Sequence, residues 1–309
     1  GATHRHGLQV DNVLELQVVT GRGELVTCSP RRRAALFESV LGGLGQFAII
    51  VSATLKLVPA HTNARVYRLF YDDVEAFVHD QQRAIDGRFD YLEGSVATLP
   101  EGGYQFMLEA ASYYTPPTLP DDTALLADLS PLPRSTVVEE HTYFDWSNRL
   151  APLIAALRAA GQFDVPHPWI DVFLPARSAS RYVESVLAEL TPADTGGGPM
   201  LFYAFDRTKL RRPFVAMPDA NVVFIFDVLR FAPNDAAVVA AMLAQNRRFF
   251  ERARRAGGKK YAAGSVLFSF ADWIEHFGAS FPAFAARKAR FDPKGVLTPG
   301  QAIFPRRSR

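Results

Sequence analysis

The stretch Gly43-Leu-Gly-Gln-Phe-Ala48 decides which kind of fold this sequence predicts. It has the glycine spacing of a dinucleotide-binding loop, which needs a strand before the glycines and a helix after them. Here the order is reversed, because a helix is predicted from Ser29 to Leu41 and a buried strand from Phe47 to Val58. The context excludes a Rossmann domain. Two interpretations remain open: a plain structural turn, or a close approach of the glycine backbone to a cofactor.

Outward from this stretch, the chain predicts strands that pair with neighbours close in sequence. Val13 to Val19 and Glu24 to Thr27 form a predicted hairpin around the turn Thr20-Gly-Arg-Gly23. Pro59 marks a predicted domain boundary. Beyond it, strands mix with helices on a roughly 30-residue rhythm, which is typical of an antiparallel sheet covered by helices. The predicted fold class is therefore α+β.

The predicted elements after this boundary follow from hydrophobic periodicity. Strands are predicted at residues 64–70, 91–98, 104–111, 169–174, 200–205 and 221–231. Helices are predicted at residues 73–85, 145–160, 178–190 and 234–255, with two short helices around Trp273 and Ala286.

Composition narrows the class of protein. With 309 residues, 48% of them apolar and 21% charged, the chain has an ordinary globular composition and can bury a large core. A net charge of +2 is too small to predict nucleic-acid binding. No apolar run reaches the roughly 18–20 residues of a membrane span. One cysteine, Cys28, and seven scattered histidines predict neither an intrachain disulfide nor a metal site.

Three segments carry candidate site residues. Glu93 stands at the centre of a predicted strand, where a carboxylate belongs either to the solvated face or to a site. Trp169 and Asp171 are two residues apart and therefore share a face. An aromatic plane beside a carboxylate can hold a cationic or planar ligand, and the alternative is a tryptophan packed in the core. The basic stretch Arg247–Lys260 predicts a solvated helix face, with an anion site as the alternative.

Several motifs, in order along the chain, resemble those of cytokinin dehydrogenases. Leu41-Gly-Gly-Leu-Gly-Gln-Phe47 is similar to part of the flavin domain of that family. Tyr91-Leu-Glu-Gly-Ser-Val96 and Val165-Pro-His-Pro-Trp169 are similar to parts of its substrate domain. Asp272-Trp-Ile-Glu-His-Phe-Gly278 and Phe291-Asp-Pro-Lys-Gly-Val-Leu-Thr-Pro-Gly-Gln301 are similar to its C-terminal third.

The resemblance implies a flavoprotein of the vanillyl-alcohol-oxidase type with FAD as its cofactor. Such an enzyme removes a hydride from the carbon next to an amine nitrogen of an N6-isoprenoid adenine, and the imine then hydrolyses to adenine and an aldehyde. The implied partners are a small-molecule substrate and an electron acceptor, either oxygen or a quinone. Oligomeric state and compartment are not predicted.

The resemblance also implies three regions. Residues 1–59 are similar to the C-terminal part of a PCMH-type FAD-binding domain, residues 60–280 to the substrate domain, and residues 281–309 to a C-terminal segment that returns to the FAD domain.

Site roles follow from the resemblance residue by residue. Glu93 takes the place of an active-site carboxylate that partners a catalytic aspartate, and Trp169 that of a pocket-lining tryptophan. Asp171 stands at a substrate-binding position where the family usually has asparagine. The implied FAD contacts are Ile50, Tyr261, Thr298 and Gln301.

The sequence departs from the family pattern in three places. The flavin-linking histidine and the catalytic aspartate would precede Gly1, so we expect a processed or partial chain. No acid stands near Pro152 and Leu153, where the resemblance places the residue that contacts the adenine ring. The flavin-facing tyrosine falls at Ala263, and Tyr261 replaces it only with a shift. Two alternatives therefore stay open: an alcohol or carbohydrate oxidase on the same scaffold, and a truncated protein that only binds ligand.

Overall fold

The computed structural model describes residues 2–304. Its strands are β1 (Ala2–Thr3), β2 (Gly7–Leu8), β3 (Val13–Thr20), β4 (Leu25–Cys28), β5 (Ala48–Leu55), β6 (Asn63–Tyr71), β7 (Tyr91–Thr98), β8 (Tyr104–Tyr114), β9 (Val137–Thr142), β10 (Ile170–Pro175), β11 (Met200–Asp206), β12 (Val222–Val228) and β13 (Lys259–Lys260). Its helices are α1 (Ala34–Val40), α2 (Val74–Ala84), α3 (Asp122–Leu126), α4 (Tyr143–Ser147), α5 (Ala151–Ala159), α6 (Ala176–Leu187), α7 (Pro192–Thr195), α8 (Ala236–Arg255), α9 (Phe270–Phe277) and α10 (Phe281–Phe291).

Eight of these strands form one antiparallel sheet in the order β13-β10-β12-β11-β7-β8-β6-β9. Helices α2, α6 and α8 pack on one face of this sheet, against β11, β12 and β10 respectively. Phe202 of β11 contacts Phe77 of α2, and Phe226 of β12 contacts Tyr182 of α6. The arrangement confirms the predicted α+β class, with an antiparallel sheet covered by helices.

The opposite face of the sheet carries two separate apolar clusters. One cluster lies over β10, β11 and β12 and includes Phe173, Tyr203 and Ile225. The other lies over β6 and β8, where Trp146 of α4 packs against Val66. The middle of this face, over β7, lies between the two clusters and carries the charged residues described below.

A second, three-stranded sheet has the order β4-β3-β5. The C-terminal helix α10 contacts α1 beside it. The buried ammonium of Lys288 donates to the Asp292 carboxylate (2.7 Å) and to the Gln46 carbonyl (2.9 Å). The bond from Lys288 to Gln46 connects the C-terminal helix α10 to the glycine turn that precedes β5.

Three local predictions were wrong or incomplete. Helix α1 begins at Ala34, not at Pro30, because Ser29 and Arg32 pair as an isolated bridge and Arg33 is left-handed (φ 51°). The helix predicted at residues 145–160 is two helices, and Pro152 lies in the first turn of the second. Strand β9 was not predicted. None of the helices in residues 2–304 is long and apolar enough to cross a membrane.

Candidate functional site

On the sheet face that α2, α6 and α8 do not cover, strands β7, β10 and β12 each carry one carboxyl group. Asp171 of β10 lies directly opposite Asp227 of β12, and Asp227 lies opposite Leu201 of β11. Leu201 in turn lies opposite Ser95 of β7, two residues from Glu93. Directly opposed residues point to the same side and side chains alternate along a strand, so Glu93, Asp171 and Asp227 face the same way.

Glu93 is half-buried in the middle of β7, directly opposite Glu109 of β8. Burial raises the pKa of Glu93 above its usual range. The Tyr91 hydroxyl, which hydrogen-bonds to it, and the Arg149 guanidinium oppose this rise in pKa, whereas the charge of Glu109 adds to it. A carboxyl group with a raised pKa is suited to accept or return a proton near neutral pH.

A network of charged groups surrounds Glu93. Arg149 donates to the Tyr91 hydroxyl oxygen (2.7 Å) and to Glu109 (3.3 Å). Its guanidinium lies over the Trp146 ring, 3.8 Å from the centroid, which holds it in place. Arg68 binds the other Glu109 oxygen at 3.1 Å. Both oxygens of Glu109 are therefore occupied, whereas Glu93 accepts a bond from Tyr91 and faces the open part of the sheet.

Asp171 and Asp227 are both buried, with exposed fractions of 2% and 5%. Burial raises the pKa of Asp171 to about 6. The pKa of Asp227 rises well above its usual range, because of burial and then because of the Asp171 charge beside it. Two such carboxyl groups hold one proton between them, and Asp227 keeps it more strongly. Sequence analysis missed Asp227, although an acid inside the apolar run Phe224-Ile-Phe-Asp-Val228 was a visible signal.

A cavity of about 230 Å³ is lined by Phe173, which follows Asp171 by two residues on β10, but not by Asp171 or Asp227 themselves. Its walls come from the N-terminal segment, β10, the residues after α8, and α9, and include Leu8, Val10, Phe173, Tyr261, Trp273 and His276. The Tyr261 ring packs 5.0 Å from the Phe173 ring. The buried Nδ1 atom of His276 has no hydrogen-bond partner among the described residues. The cavity is thus mostly apolar, with a few polar atoms at its wall.

The predicted FAD contacts do not all lie together. Tyr261 lines this cavity, but Ile50 and Thr298 line a separate open depression of about 520 Å³ beside β5. The Gln301 side chain is exposed, and its carbonyl oxygen accepts a hydrogen bond from the Trp273 indole (3.2 Å). Gln301 therefore touches a residue of the cavity wall through its backbone.

Trp169 lies immediately before β10, so its neighbour Ile170 is the first residue of the strand. The Trp169 ring packs edge-on against His167, 5.7 Å between centroids. Its buried indole nitrogen has no hydrogen-bond partner within residues 2–304. A buried indole nitrogen normally donates to an acceptor. Both interpretations of Trp169 therefore stay open: a side chain packed in the core, or a donor to a bound ligand.

The glycine turn has a structural reason in this chain. Gly45 has a positive φ of 71°, and a Cβ at this position would lie 2.7 Å from the Thr298 hydroxyl oxygen. That hydroxyl donates to the Gly45 carbonyl oxygen at 2.7 Å. A side chain at residue 45 would therefore displace the C-terminal segment. Because Ile50 and Thr298 line one depression, the turn also lies beside the predicted cofactor contacts.

Comparison with known protein families gives a match to the model described as "Cytokinin dehydrogenase 1, FAD and cytokinin binding" over residues 97–304. An uncharacterized oxidoreductase, ORF5 in the fasciation locus of Rhodococcoides fascians, is 39% identical over 97% of this chain and 68% of its own length. Cytokinin dehydrogenase 8 of Oryza sativa subsp. indica is 38% identical over 99% of this chain and 65% of its own length. The chain thus spans about two thirds of the length of these relatives.

Solved structures with the same fold have more distant sequences. The VAO-type flavoprotein MtVAO615 from Myceliophthora thermophila C1 superposes with a TM-score of 0.68 at 17% identity, over 94% of this chain and 56% of that one. A carbohydrate oxidase from Microdochium nivale gives a TM-score of 0.63 at 17% identity, over 99% of this chain and 68% of that one. At these identities the likeness concerns the fold alone.

Proposed function

Since the chain belongs to the cytokinin dehydrogenase family of FAD-binding oxidoreductases, we propose that it contributes the substrate site of an enzyme that oxidises the carbon next to an amine nitrogen. N6-isoprenoid adenines are the first substrate class to test. One observation carries the proposal: Glu93 is a half-buried carboxyl group with a raised pKa, placed mid-strand on the sheet face that the covering helices leave free.

In this proposal Glu93 accepts the proton of the substrate nitrogen, or returns it, during the reaction. The resemblance makes it the partner of a second carboxylate, and two neighbouring carboxyl groups keep one pKa near neutrality. The Tyr91 hydroxyl holds Glu93 in orientation, and Arg149 fixes Tyr91 in turn. Trp169 would supply an aromatic wall for a planar ring, since large flat side chains bind such rings by stacking.

The residues present fit the ring of FAD better than the whole cofactor. Cavities for complete ligands are typically about 300–1,000 Å³, so the 230 Å³ cavity suits one ring system. Tyr261 would contact the face of that ring. The His276 Nδ1 atom, which has no hydrogen-bond partner among the described residues, would hydrogen-bond to a polar atom at the edge of the ring. Ile50 and Thr298 would contact another part of the cofactor from the depression beside β5. When bound, FAD supplies the hydride acceptor.

We also propose the domain division 1–59, 60–280 and 281–309. The three-stranded sheet lies in the first region and the eight-stranded sheet in the second. Lys288 and Thr298, both in the third region, bond to residues 46 and 45 of the first. These contacts support a C-terminal segment that returns to the FAD-binding side.

The experiment compares Glu93→Gln with wild type in the full-length, FAD-loaded protein. Turnover of isopentenyladenine is measured with oxygen and with a quinone as acceptor. Proton transfer by a positioned side chain contributes about 10²–10⁴-fold, so we expect turnover to fall at least about a hundredfold. Thermal stability and FAD content should stay unchanged. Glu101→Gln, an exposed glutamate in the β7–β8 turn, is the matched control. Wild-type turnover in Glu93→Gln would remove Glu93 from the site.

A second candidate function is a carbohydrate or alcohol oxidase. It is favoured by helix α5, Ala-Pro-Leu-Ile-Ala-Ala-Leu-Arg-Ala, which has no acid where the resemblance places the residue that contacts adenine. Flavin reduction separates the candidates: bleaching by isopentenyladenine and not by sugars or alcohols favours amine oxidation, and the reverse favours the second candidate. Ligand binding without bleaching would favour a protein that only binds.

A further inference from the structure

The carboxyl groups of Asp171 and Asp227 form a pair with unmet hydrogen-bonding capacity. They lie directly opposite each other on adjacent strands. The two side chains hydrogen-bond to each other through their shared proton. The buried Oδ2 atom of Asp171 and Oδ1 atom of Asp227 accept no bond from an N–H or hydroxyl donor of another described residue. Buried polar atoms are almost always hydrogen-bonded, and a buried charge without donors is costly. The pair therefore lacks donors that a bound group can supply.

The cation whose charge lowers the pKa of Asp171, Lys260, does not bond to the pair. The ammonium of Lys260 lies over the rings of Phe268 and Trp273, at 5.0 and 5.3 Å from their centroids. Burial lowers the pKa of Lys260 to about 8, and the Asp171 charge opposes this only in part. Glu93 adds a third carboxyl group on the same sheet face and raises the pKa of Asp227 further. Lys260 therefore does not neutralise the pair through a direct bond.

Aromatic rings and the backbone of Gly264 complete the surroundings of the pair. Phe173 follows Asp171 by two residues on β10 and so shares its face. Tyr261 packs on Phe173, and its amide donates to the Asp171 carbonyl oxygen (3.0 Å). The Gly264 backbone packs closely on Asp171: a Cβ there would lie 3.0 Å from the Asp171 amide nitrogen and 3.3 Å from Asp171 Oδ2. Carboxyl groups next to aromatic faces are the surroundings that organic ammonium ions prefer.

We propose that Asp171 and Asp227 form a subsite for the protonated nitrogen of a cationic amine, bounded by the rings of Phe173 and Tyr261. The subsite rests on the proposed amine oxidation and refines its substrate class, from neutral adenines to amines that carry a positive charge. Neither aspartate takes part in the chemistry in this proposal. Both position the substrate, and Asp227 also sets the charge of Asp171 by holding their shared proton.

The test measures binding without turnover. The probe is cumylamine, an ammonium ion at pH 7 that has no hydrogen on the carbon next to nitrogen and so cannot be oxidised there. Cumyl alcohol is its neutral counterpart of the same shape. Dissociation constants are measured by calorimetry on the full-length, FAD-loaded protein. Hydrogen bonds to charged groups are strong enough that we expect the amine to bind at least about tenfold more tightly than the alcohol.

The variant Asp171→Asn should remove most of this preference, because it takes away the carboxyl group that is ionised at pH 7. The double variant Asp171→Asn with Asp227→Asn should remove the rest, because it leaves no carboxylate in the subsite and keeps the shape of both side chains. Asp164→Asn, an exposed aspartate, is the control for general electrostatics and should keep the preference. Equal affinity for amine and alcohol in wild type, or an unchanged preference in both site variants, would overturn the subsite. Because no turnover is measured, an active Glu93→Gln enzyme would refute the proposed function and leave this result unaffected.

Discussion

Replacing Asp171 by asparagine should stabilise the protein at neutral pH but not in acid. The pKa of Asp171 rises from its ordinary value of 3.8 to about 6, chiefly through burial. A tenfold change in proton affinity corresponds to about 1.4 kcal/mol. The ionised Asp171 therefore costs about 3 kcal/mol of folding free energy at pH 7. Asparagine keeps the shape and cannot ionise, so it avoids this cost.

The sign of the pH dependence follows from linkage. A folded-state pKa above the unfolded value means that the native state holds the proton more tightly. The stability associated with Asp171 is then fully present below pH 3.8 and is lost as the pH rises to about 6. The advantage of Asp171→Asn should be near zero at the acid end of this window and reach about 3 kcal/mol at pH 7. Loss of the Asp171 charge also relieves Asp227, which acts in the same direction.

The assay is urea unfolding of wild type and Asp171→Asn at a series of pH values from 4 to 7.5, followed by tryptophan fluorescence. The informative quantity is the difference in unfolding free energy between the two proteins at each pH. Asp164→Asn should show a small difference that does not change with pH. A difference between wild type and Asp171→Asn that is constant across the range, or that favours wild type at pH 7, would refute the reasoning.

Three further predictions concern the packing that supports the site. Lys288→Met leaves Asp292 as a buried, unpaired charge and should lower the unfolding free energy by about 3–5 kcal/mol in urea titrations, whereas the double variant with Asp292→Leu should recover most of it. Gly94→Ala places a methyl group on the Phe202 carbonyl oxygen and should cost about 3 kcal/mol or more, seen as a lower Tm. Burial raises the pKa of the Cys28 thiol to about 11, so iodoacetamide should label it only on unfolding, as mass spectrometry would show.

Local patterns predicted the fold well where one face of an element is buried. Strand β7 alternates buried and half-buried residues over Tyr91–Val96 and has the predicted bounds, 91–98. Strand β9 escaped prediction because it is an edge strand of mixed exposure, Val-Val-Glu-Glu-His-Thr, held by pairing with β6 and not by an apolar face.

The site was harder to predict, because its geometry depends on pairing between distant segments. Asp171 and Asp227 meet only through strand register, which no local pattern contains. The resemblance supplied Ile50, Thr298 and Tyr261 as FAD contacts, but not their distribution over two separate surfaces. The roles of these residues, and those of Glu93, Trp169 and Gln301, stay predictions until the variants are measured.

The contacts between the glycine turn and the C-terminal segment also bear on how the chain folds as it is synthesised. Gln46 donates to the Thr298 carbonyl across 252 residues, and Lys288 donates to the Gln46 carbonyl across 242. Ribosomes add about 5–20 residues per second. About 12–50 s therefore pass between the synthesis of Gln46 and the synthesis of Thr298. During that interval the strands before Pro59 have no α10 to pack against. Folding of this part of the protein is therefore completed only after α10 and the segment that follows it have been synthesised, and chaperones can act on it during that interval.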